Sequence, residues 1–365
     1  SILNQITRSS IFAEDFINNQ GYNKNMPIEN LSFDVNHKNH LKLDVKDKKI
    51  LYYLVHNSRR SFTDIAKKTL LSKESVQYRY KKLIENGVIL KTYPVVNFEA
   101  LGFQKYHLLL LLEEGKDAER KKFMEALENH SNVMRVMEFS DNWDLEIVIL
   151  AKSLRHFDEV ERDLLLPFEG LIINKDTEAL IDLLDDGCFP EVRRKHGPKE
   201  KIEHKKNVEI SYDQKDLKIL QQLAKDARQS TYKIAPSVGL SADAIGLRLK
   251  KLEKNHLIKR YATLVNFSDL DYQGYVFCFT TSSLSVQDEQ KFFYKMSQTP
   301  HVISVKKMLG TWDMKVYVVV KNNQDLHLLI KDIKKQFSNL MRTYETWVIY
   351  KELYFNPFPS VLLEE

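Results

Sequence analysis

Cysteine is nearly absent from this 365-residue chain: the two present, Cys188 and Cys278, are too few for a disulfide framework or a thiolate metal cage. Long apolar runs are missing too. The longest candidate, Leu108 to Leu112, falls far short of the roughly 18 residues that a membrane span requires. The first residues show no basic start, apolar stretch and small-residue cleavage site, so no secretory signal is expected and a cytoplasmic setting fits. There is no glycine-rich phosphate loop, no His-Glu-x-x-His pair and no paired-cysteine motif. The eleven histidines are scattered, and His107 and His327 read as ordinary ones. No catalytic residue, metal or cofactor is therefore expected. What is present is the composition of a folded protein, 43% hydrophobic and 29% charged, long enough for two or three domains. The net charge of +5 carries no message until its distribution is known.

The chain is one unit written twice. A shift of 169 positions sets Asp47-Lys48-Lys49-Ile50-Leu51 on Asp216-Leu217-Lys218-Ile219-Leu220, and Arg79-Tyr80-Lys81-Lys82-Leu83 on Arg248-Leu249-Lys250-Lys251-Leu252. It also sets Val96-Asn97-Phe98 on Val265-Asn266-Phe267, and Trp143-Asp144 on Trp312-Asp313. No gap is needed, and 23 of the 60 pairs from Asp47/Asp216 to Tyr106/Tyr275 are identical. Chance does not hold one register through so many matches. Residues 1–42 form an Asn-rich extension without a sustained period, read as largely disordered with a short helix near Ile11 to Ile17. Residues 185–211 form a basic linker with Gly187, Pro190, Gly197 and Pro198.

Charge becomes informative once it is divided along this repeat. Residues 43–93 hold 12 Lys/Arg against 5 Asp/Glu, and residues 212–262 hold 11 against 5. The stretch 106–183 holds 9 against 18, a net of −9, while 275–352 holds 11 against 7, a net of +4. Two basic modules thus alternate with two modules of opposite net charge.

Each basic module reads as a winged helix-turn-helix, over 43–105 and 212–274. In the first, Ile50, Leu51 and Leu54 give a helix over Lys46 to His56. Ser61 caps a second over Phe62 to Thr69, and Ser72 caps a third over Lys73 to Asn86, ended by Gly87. The extended segments Val88 to Tyr93 and Val95-Val96 suggest a small wing. On the third helix, Val76, Tyr80 and Leu83 share the core side. Ser75, Tyr78, Arg79 and Lys82 form a stripe away from it, flanked by Lys73, Gln77 and Lys81. Arg and Gln can pair bidentately with base edges, while Lys, Ser and helix N-termini hold phosphates. Double-stranded DNA is the partner these residue types fit, with Ser61 and Ser72 at the two helix starts.

Ser72, Val76, Arg79, Leu83, Gly87 and Ile89, at their spacing, resemble the recognition-helix signature of the Lrp/AsnC (feast/famine) transcription regulators. Asp47 to Leu51 and Asn97-Phe98 to Leu101-Gly102 extend the resemblance, and Ser241, Ile245, Arg248, Leu252 and Ile258 repeat it. The second head departs from the first. Lys73, Ser75, Gln77 and Tyr78 become Ala242, Ala244, Gly246 and Leu247, removing most polar readout. Ser230, Ser241, Arg248, Lys250 and Lys251 remain for phosphate contacts. Pro236 should distort the second helix of this head. Leu70 stands where the second copy has Gly239, and His256 where the first has Gly87.

After each head, the order strand, helix, strand, strand, helix, strand predicts a ferredoxin-like βαββαβ sandwich, over 106–184 and 275–365. The fold class is thus α+β. The resemblance implies that two such sandwiches pair through their sheets; the duplication suggests an intrachain pseudo-dimer and further homo-oligomers, and pairing within or between chains both fit the sequence. It also implies that small effectors, often amino acids, bind near the interfaces. The family's Gly-x-x-Asp turn appears as Gly310-Thr311-Trp312-Asp313, which places effector contacts at Gly310, Thr311 and Asp313. In the first copy Asp141 replaces the glycine, adding charge and a Cβ where a ligand carboxylate would approach. Trp143 and Trp312 read as core or interface packing.

The expectation is a sequence-specific DNA-binding regulator. The alternatives are a DNA-compacting protein with little sequence preference and, more distantly, a siroheme decarboxylase-like enzyme. Those enzymes resemble this family, but their Arg-Arg-Phe-Gly-Ala wing is replaced here by Leu90-Lys91-Thr92-Tyr93-Pro94 and Lys259-Arg260-Tyr261-Ala262.

Overall fold

The computed structural model describes residues 32–34, 40–184, 189–190, 211–282 and 284–364. The expected helix near Ile11 to Ile17 and most of the 185–211 linker lie outside the described residues. Head one consists of α1 (Val45–His56), α2 (Phe62–Thr69), α3 (Lys73–Glu85) and β1 (Ile89–Val96). Head two repeats it as α6 (Gln214–Lys225), α7 (Thr231–Val238), α8 (Ala242–Lys254) and β6 (Ile258–Val265). The first sandwich contains β2 (Gln104–Leu112), α4 (Asp117–Asn129), β3 (Val133–Phe139), β4 (Leu145–Ala151), α5 (Leu154–Leu165) and β5 (Ile172–Leu184). The second contains β7 (Gln273–Thr281), α9 (Val286–Ser297), β8 (Val302–Leu309), β9 (Met314–Val320), α10 (Asn323–Gln336) and β10 (Met341–Phe355).

Local chemistry accounts for the helix starts. Asp44 and Asp213 cap α1 and α6, accepting from the N–H groups of Asp47 and Asp216 at 2.7 and 2.9 Å. The carboxylates of Asp47 and Asp216 return to the cap N–H groups, completing two capping boxes. Pro236 lies inside α7 without shortening it: α2 and α7 both span eight residues and both end in a left-handed residue. The expected distortion is therefore not seen. The proline's missing N–H leaves only the carbonyl of Tyr232 to be served, and Tyr232 is exposed on the surface.

The wings correct a second expectation. Neither head builds a wing of its own. Instead β1 pairs antiparallel with β6, placing Thr92 opposite Thr263 and Tyr93 opposite Ala262. The heads are consequently interlocked. Ser58 N–H donates to Tyr261 O at 2.9 Å and Thr263 Oγ to Leu54 O at 2.8 Å. In the opposite direction Ala227 N–H donates to Thr92 O at 2.9 Å, and Arg59 reaches the carbonyls of Ala227 and Gln229. Apolar packing follows the same exchange. Head one's Ile50, Leu54 and Ile65 share a core with Val265, Phe267 and Leu270, and head two's Leu220, Leu223 and Ile234 share one with Val96, Phe98 and Leu101.

Each sandwich has its strands in the order first–third neighbours expected of the ferredoxin-like arrangement, and the two then close on each other. The last strand of the second, β10, pairs with β3 of the first, and β5 pairs with β8. The result is a closed eight-stranded barrel, β10-β3-β4-β2-β5-β8-β9-β7. Helices cover its outside over two separate apolar cores. Strands β4 and β9 are consequently buried along their whole lengths. Three further pieces dock on this frame. Phe33 stacks on Phe267 at 5.6 Å, Phe189 is buried in the head-one core, and a short 3-10 helix at Ser360–Leu363 packs Val361 and Leu362 against head two.

Candidate nucleic-acid interface

On α3 the buried side is made by Val76 and Leu83, with Tyr80 half-buried against Phe62. Away from it Lys73, Gln77, Tyr78, Lys81 and Lys82 are exposed, together with Ser61 and Ser72 at the starts of α2 and α3. Tyr78 keeps 68% of its surface. Head two brings out Ser230, Ser241, Lys250 and Lys251 in the same places, with Leu247 69% exposed where head one has Tyr78. The four serines also cap their helices, each Oγ accepting an N–H three residues on, at 3.1 to 3.3 Å. Ser75 is half-buried at the first turn of α3.

Arg79 and Arg248 are placed differently from their neighbours. Arg79 donates to Asp44 at 2.6 Å and to Asp47 at 2.7 Å, tying the recognition helix to the capping box of α1. Arg248 repeats this with Asp213 and Asp216 at 2.8 Å. Slight burial works to raise the Asp44 carboxyl, but the Asp47 N–H and the Arg79 guanidinium outweigh it and hold it below the ordinary range. These arginines are therefore committed within each head, and the exposed cations of the surface are the lysines. Lys67 and Lys68, exposed at the end of α2, add to the head-one surface; the sequence pointed to α3 and to the start of α2 at Ser61 but not to these two.

The Gly310 turn sits at the seam between the sandwiches. A Cβ on Gly310 would lie 2.7 Å from Cγ of Glu178 and 3.2 Å from its Cα, so the missing side chain lets the turn approach β5 of the other copy. Asp313 accepts from the N–H of Thr281 at 2.6 Å and from its hydroxyl at 2.9 Å, and Asp144 accepts from Leu112 N–H at 2.7 Å. Trp312 is buried edge-on to Trp347, with 6.3 Å between ring centres. Thr311 is exposed.

Inside the barrel lies a polar cluster that the sequence did not announce. His107 and Glu146 from the first sandwich meet Lys306, Lys315 and Tyr317 from the second. Glu146 accepts from Tyr317 at 3.0 Å and shares a 2.9 Å hydrogen bond with His107 Nδ1. Burial works to raise Glu146, but Lys306, Lys315 and His107 outweigh it and keep it ionised far below the ordinary range.

Residues 43–84 and 213–253 each match the AsnC-type helix-turn-helix domain. An uncharacterized HTH-type transcriptional regulator of Pyrococcus furiosus is 31% identical over 144 residues, 38% of this chain and 90% of that protein. This chain belongs to the AsnC-type helix-turn-helix regulators. The AsnC-type regulator also matches the Bkd operon transcriptional regulator of Pseudomonas aeruginosa, 35% identical over 116 residues, 30% of this chain and 72% of the relative. Each match spans a length near one copy of the repeat. The siroheme decarboxylase NirDL has the same fold across both copies: TM-score 0.56 over 87% of this chain and 97% of that structure, at 11% identity. This likeness is one of fold. By family the regulator is a DNA-binding transcription factor, and its exposed helix faces are those just described.

Proposed function

We propose that this regulator recognises an asymmetric operator with two unequal heads, head one reading bases and head two holding backbone. The observation that carries the reading is the contrast between the exposed faces of α3 and α8. Lys73, Gln77 and Tyr78 stand opposite Ala242, Gly246 and Leu247, whereas Lys81 and Lys82 are matched by Lys250 and Lys251. Side chains that read base edges are thus confined to one head, and side chains that hold phosphates are shared by both. The pairing of β1 with β6 supports this, because interlocked heads present both faces in a fixed relation.

Binding-site selection with the purified chain tests the proposal and should return a motif with one strongly specified half. Perfect palindromes would overturn it. Tyr78→Ala should relax sequence discrimination, and Leu247→Ala should leave it nearly unchanged. Competition with random DNA separates a regulator, which keeps a ratio of ~10³ or more, from a compacting protein.

Effector control is proposed at the seam, where Gly310 and Thr311 are the exposed members of the turn and Thr311 is the one with a side chain to contact a ligand. An amino acid acting there should shift operator affinity in the native chain and lose that effect in Thr311→Ala. A stoichiometric change in siroheme absorbance with formation of a decarboxylated product would instead favour an enzyme.

A further inference from the structure

A cavity of about 180 Å³ lies between the β1–β6 wing sheet and the end of the barrel. Its walls carry Lys105, His107, Arg135, Arg260 and Lys306, and among the described residues no Asp or Glu lines it. The remainder is largely apolar, including Phe33, Val95, Phe98, Leu180, Ile303 and Phe355. Five basic side chains thus share one space, and the carboxylates that meet two of them, Glu146 at His107 and Glu352 at Arg135, stand outside its described lining, so a solute anion in the cavity would meet cations first.

Two of these side chains are built in a way that packing alone does not explain. His107 is 1% exposed; its Nδ1 meets Glu146, while its Nε2, also buried, has no hydrogen-bond partner among the described residues. Lys306 is 8% exposed, donates to the Tyr317 hydroxyl at 2.8 Å and has no carboxylate oxygen within 4 Å among the described residues. Burial, with Arg135, Lys315 and Lys105 nearby, pulls its ammonium down to about 7 against the pull of Glu146. Arg135 is paired with Glu352, a residue outside the cavity wall, and Arg260 donates to Val55 O at 3.1 Å. Buried polar groups of this kind are costly unless something completes them. The second copy provides the contrast. Positions equivalent to Lys105, His107 and Arg135 hold Gly274, Val276 and Ser304, and Lys306 stands where the first copy has Met137. Of the five, only Arg260 has a basic counterpart, Lys91, so the other four are specific to one side of the pseudo-symmetric pair.

We propose that this cavity binds a small organic acid: a carboxylate or phosphate head on an apolar body, without an ammonium group. The head would take its hydrogen bonds from Lys306, His107 Nε2 and Lys105. An apolar cavity of roughly 150 Å³ suffices for benzene, so a single ring or an aliphatic body of similar size fits. Amino acids are disfavoured here, because their ammonium would enter a space with five basic groups and no carboxylate among its described lining residues. Because the wing strands form one wall, an occupant would tie both heads to the barrel. That last consequence rests on the regulator reading; the binding itself does not.

Calorimetry on the full chain with phenylpyruvate, phenyl phosphate and phenylalanine tests the site. One equivalent of at least one of the two acids should bind, with phenylalanine weaker by about tenfold or more, the order of one charge-assisted hydrogen bond. Lys306→Met and the partly exposed Lys105→Met should each weaken the acid by a similar factor, and the second variant keeps the test open if the first disturbs folding. Absence of binding by both acids, equal binding of phenylalanine, or unchanged affinity in both variants would overturn the proposal. Gel shifts on the same preparations keep the two readings apart, since a chain that binds the acid but no operator sinks only the regulator reading.

Discussion

Glu146 and Lys315 occupy the same position of the repeat, 169 residues apart, and they meet at 3.4 Å inside the barrel. Both are fully buried, and Lys315 is also paired with Glu178 of the first sandwich. Burial pulls the Lys315 ammonium down, and Glu146 with Glu178 push it above its ordinary value. Two first sandwiches placed in this arrangement would bring Glu146 against Glu146, and two second sandwiches Lys315 against Lys315. The opposite charges of the two sandwiches, −9 and +4 in sequence, thus have a structural counterpart at their shared interior.

Removing one partner leaves the others buried without compensation. Lys315→Met should destabilise the chain by about 3–5 kcal/mol, the usual cost of breaking a buried pair. Glu146→Gln together with Lys315→Met should recover part of that loss, because fewer carboxylates then lack a cation. Urea denaturation midpoints of the two variants decide this, and equal midpoints would refute the compensation argument.

The commitment of Arg79 to α1 separates stability from DNA contact on the same helix. Arg79→Ala should cost about 1 kcal/mol or somewhat more of stability, by losing hydrogen bonds to two carboxylates. It should leave the salt dependence of DNA affinity nearly unchanged. Lys82→Ala should do the reverse, reducing the salt slope by about one with little effect on melting. Affinities measured across a salt series for both variants provide the comparison.

Leu70 and His256 hold left-handed backbone, with φ of 54° and 58°. Their counterparts, Gly239 and Gly87, take φ of 69° and 72° without a steric penalty. A side chain there costs roughly 1–2 kcal/mol, of which the entropy of a new glycine takes back about 0.5–1 kcal/mol. Leu70→Gly and His256→Gly should therefore each raise stability, by up to about 1 kcal/mol, and thermal melts will register the gain.

Lys306 also makes a pH prediction. Its folded value, about 7, lies below its ordinary value of 10.5, so between these limits the unfolded chain holds more protons than the folded one. Stability should thus rise with pH from about 7 towards 10, by at most about 1.4 kcal/mol per pH unit. The groups acting on this ammonium are Glu146, Arg135, Lys315 and Lys105, with Tyr317 as its hydrogen-bond acceptor. Lys306→Met should flatten the slope in denaturation curves taken across that range.

Helices and strands were legible because period and caps are local. The helix edges predicted from Ser61 and Ser72 fall close to those observed, and the order of strands and helices after each head is the one expected. Pairings between copies were not legible. Nothing in Lys91 to Tyr93 says that their partners are Ala262 to Leu264, since register across 169 residues is decided by the closed barrel and the interlocked cores. Glu146, within Leu145-Glu146-Ile147-Val148, looks like a solvent-facing residue of an ordinary strand, yet its side of the sheet is the barrel interior. Arg79 fell on a stripe with Lys82 by helical geometry, and only the fold reveals that α1 begins beside it. One signal was present: Asp44, Asp47 and Arg79 recur at the same spacing as Asp213, Asp216 and Arg248.

The β1–β6 pairing has a consequence for how operator occupancy depends on dose. Two heads that assembled from separate chains would fall apart on dilution, and occupancy would then climb with the square of protein concentration. Here both heads are encoded on one polypeptide and rest on each other's strands, so their partnership survives any dilution that leaves the chain folded. For this pair of heads, occupancy should follow the first power of concentration, giving a graded response in place of a threshold.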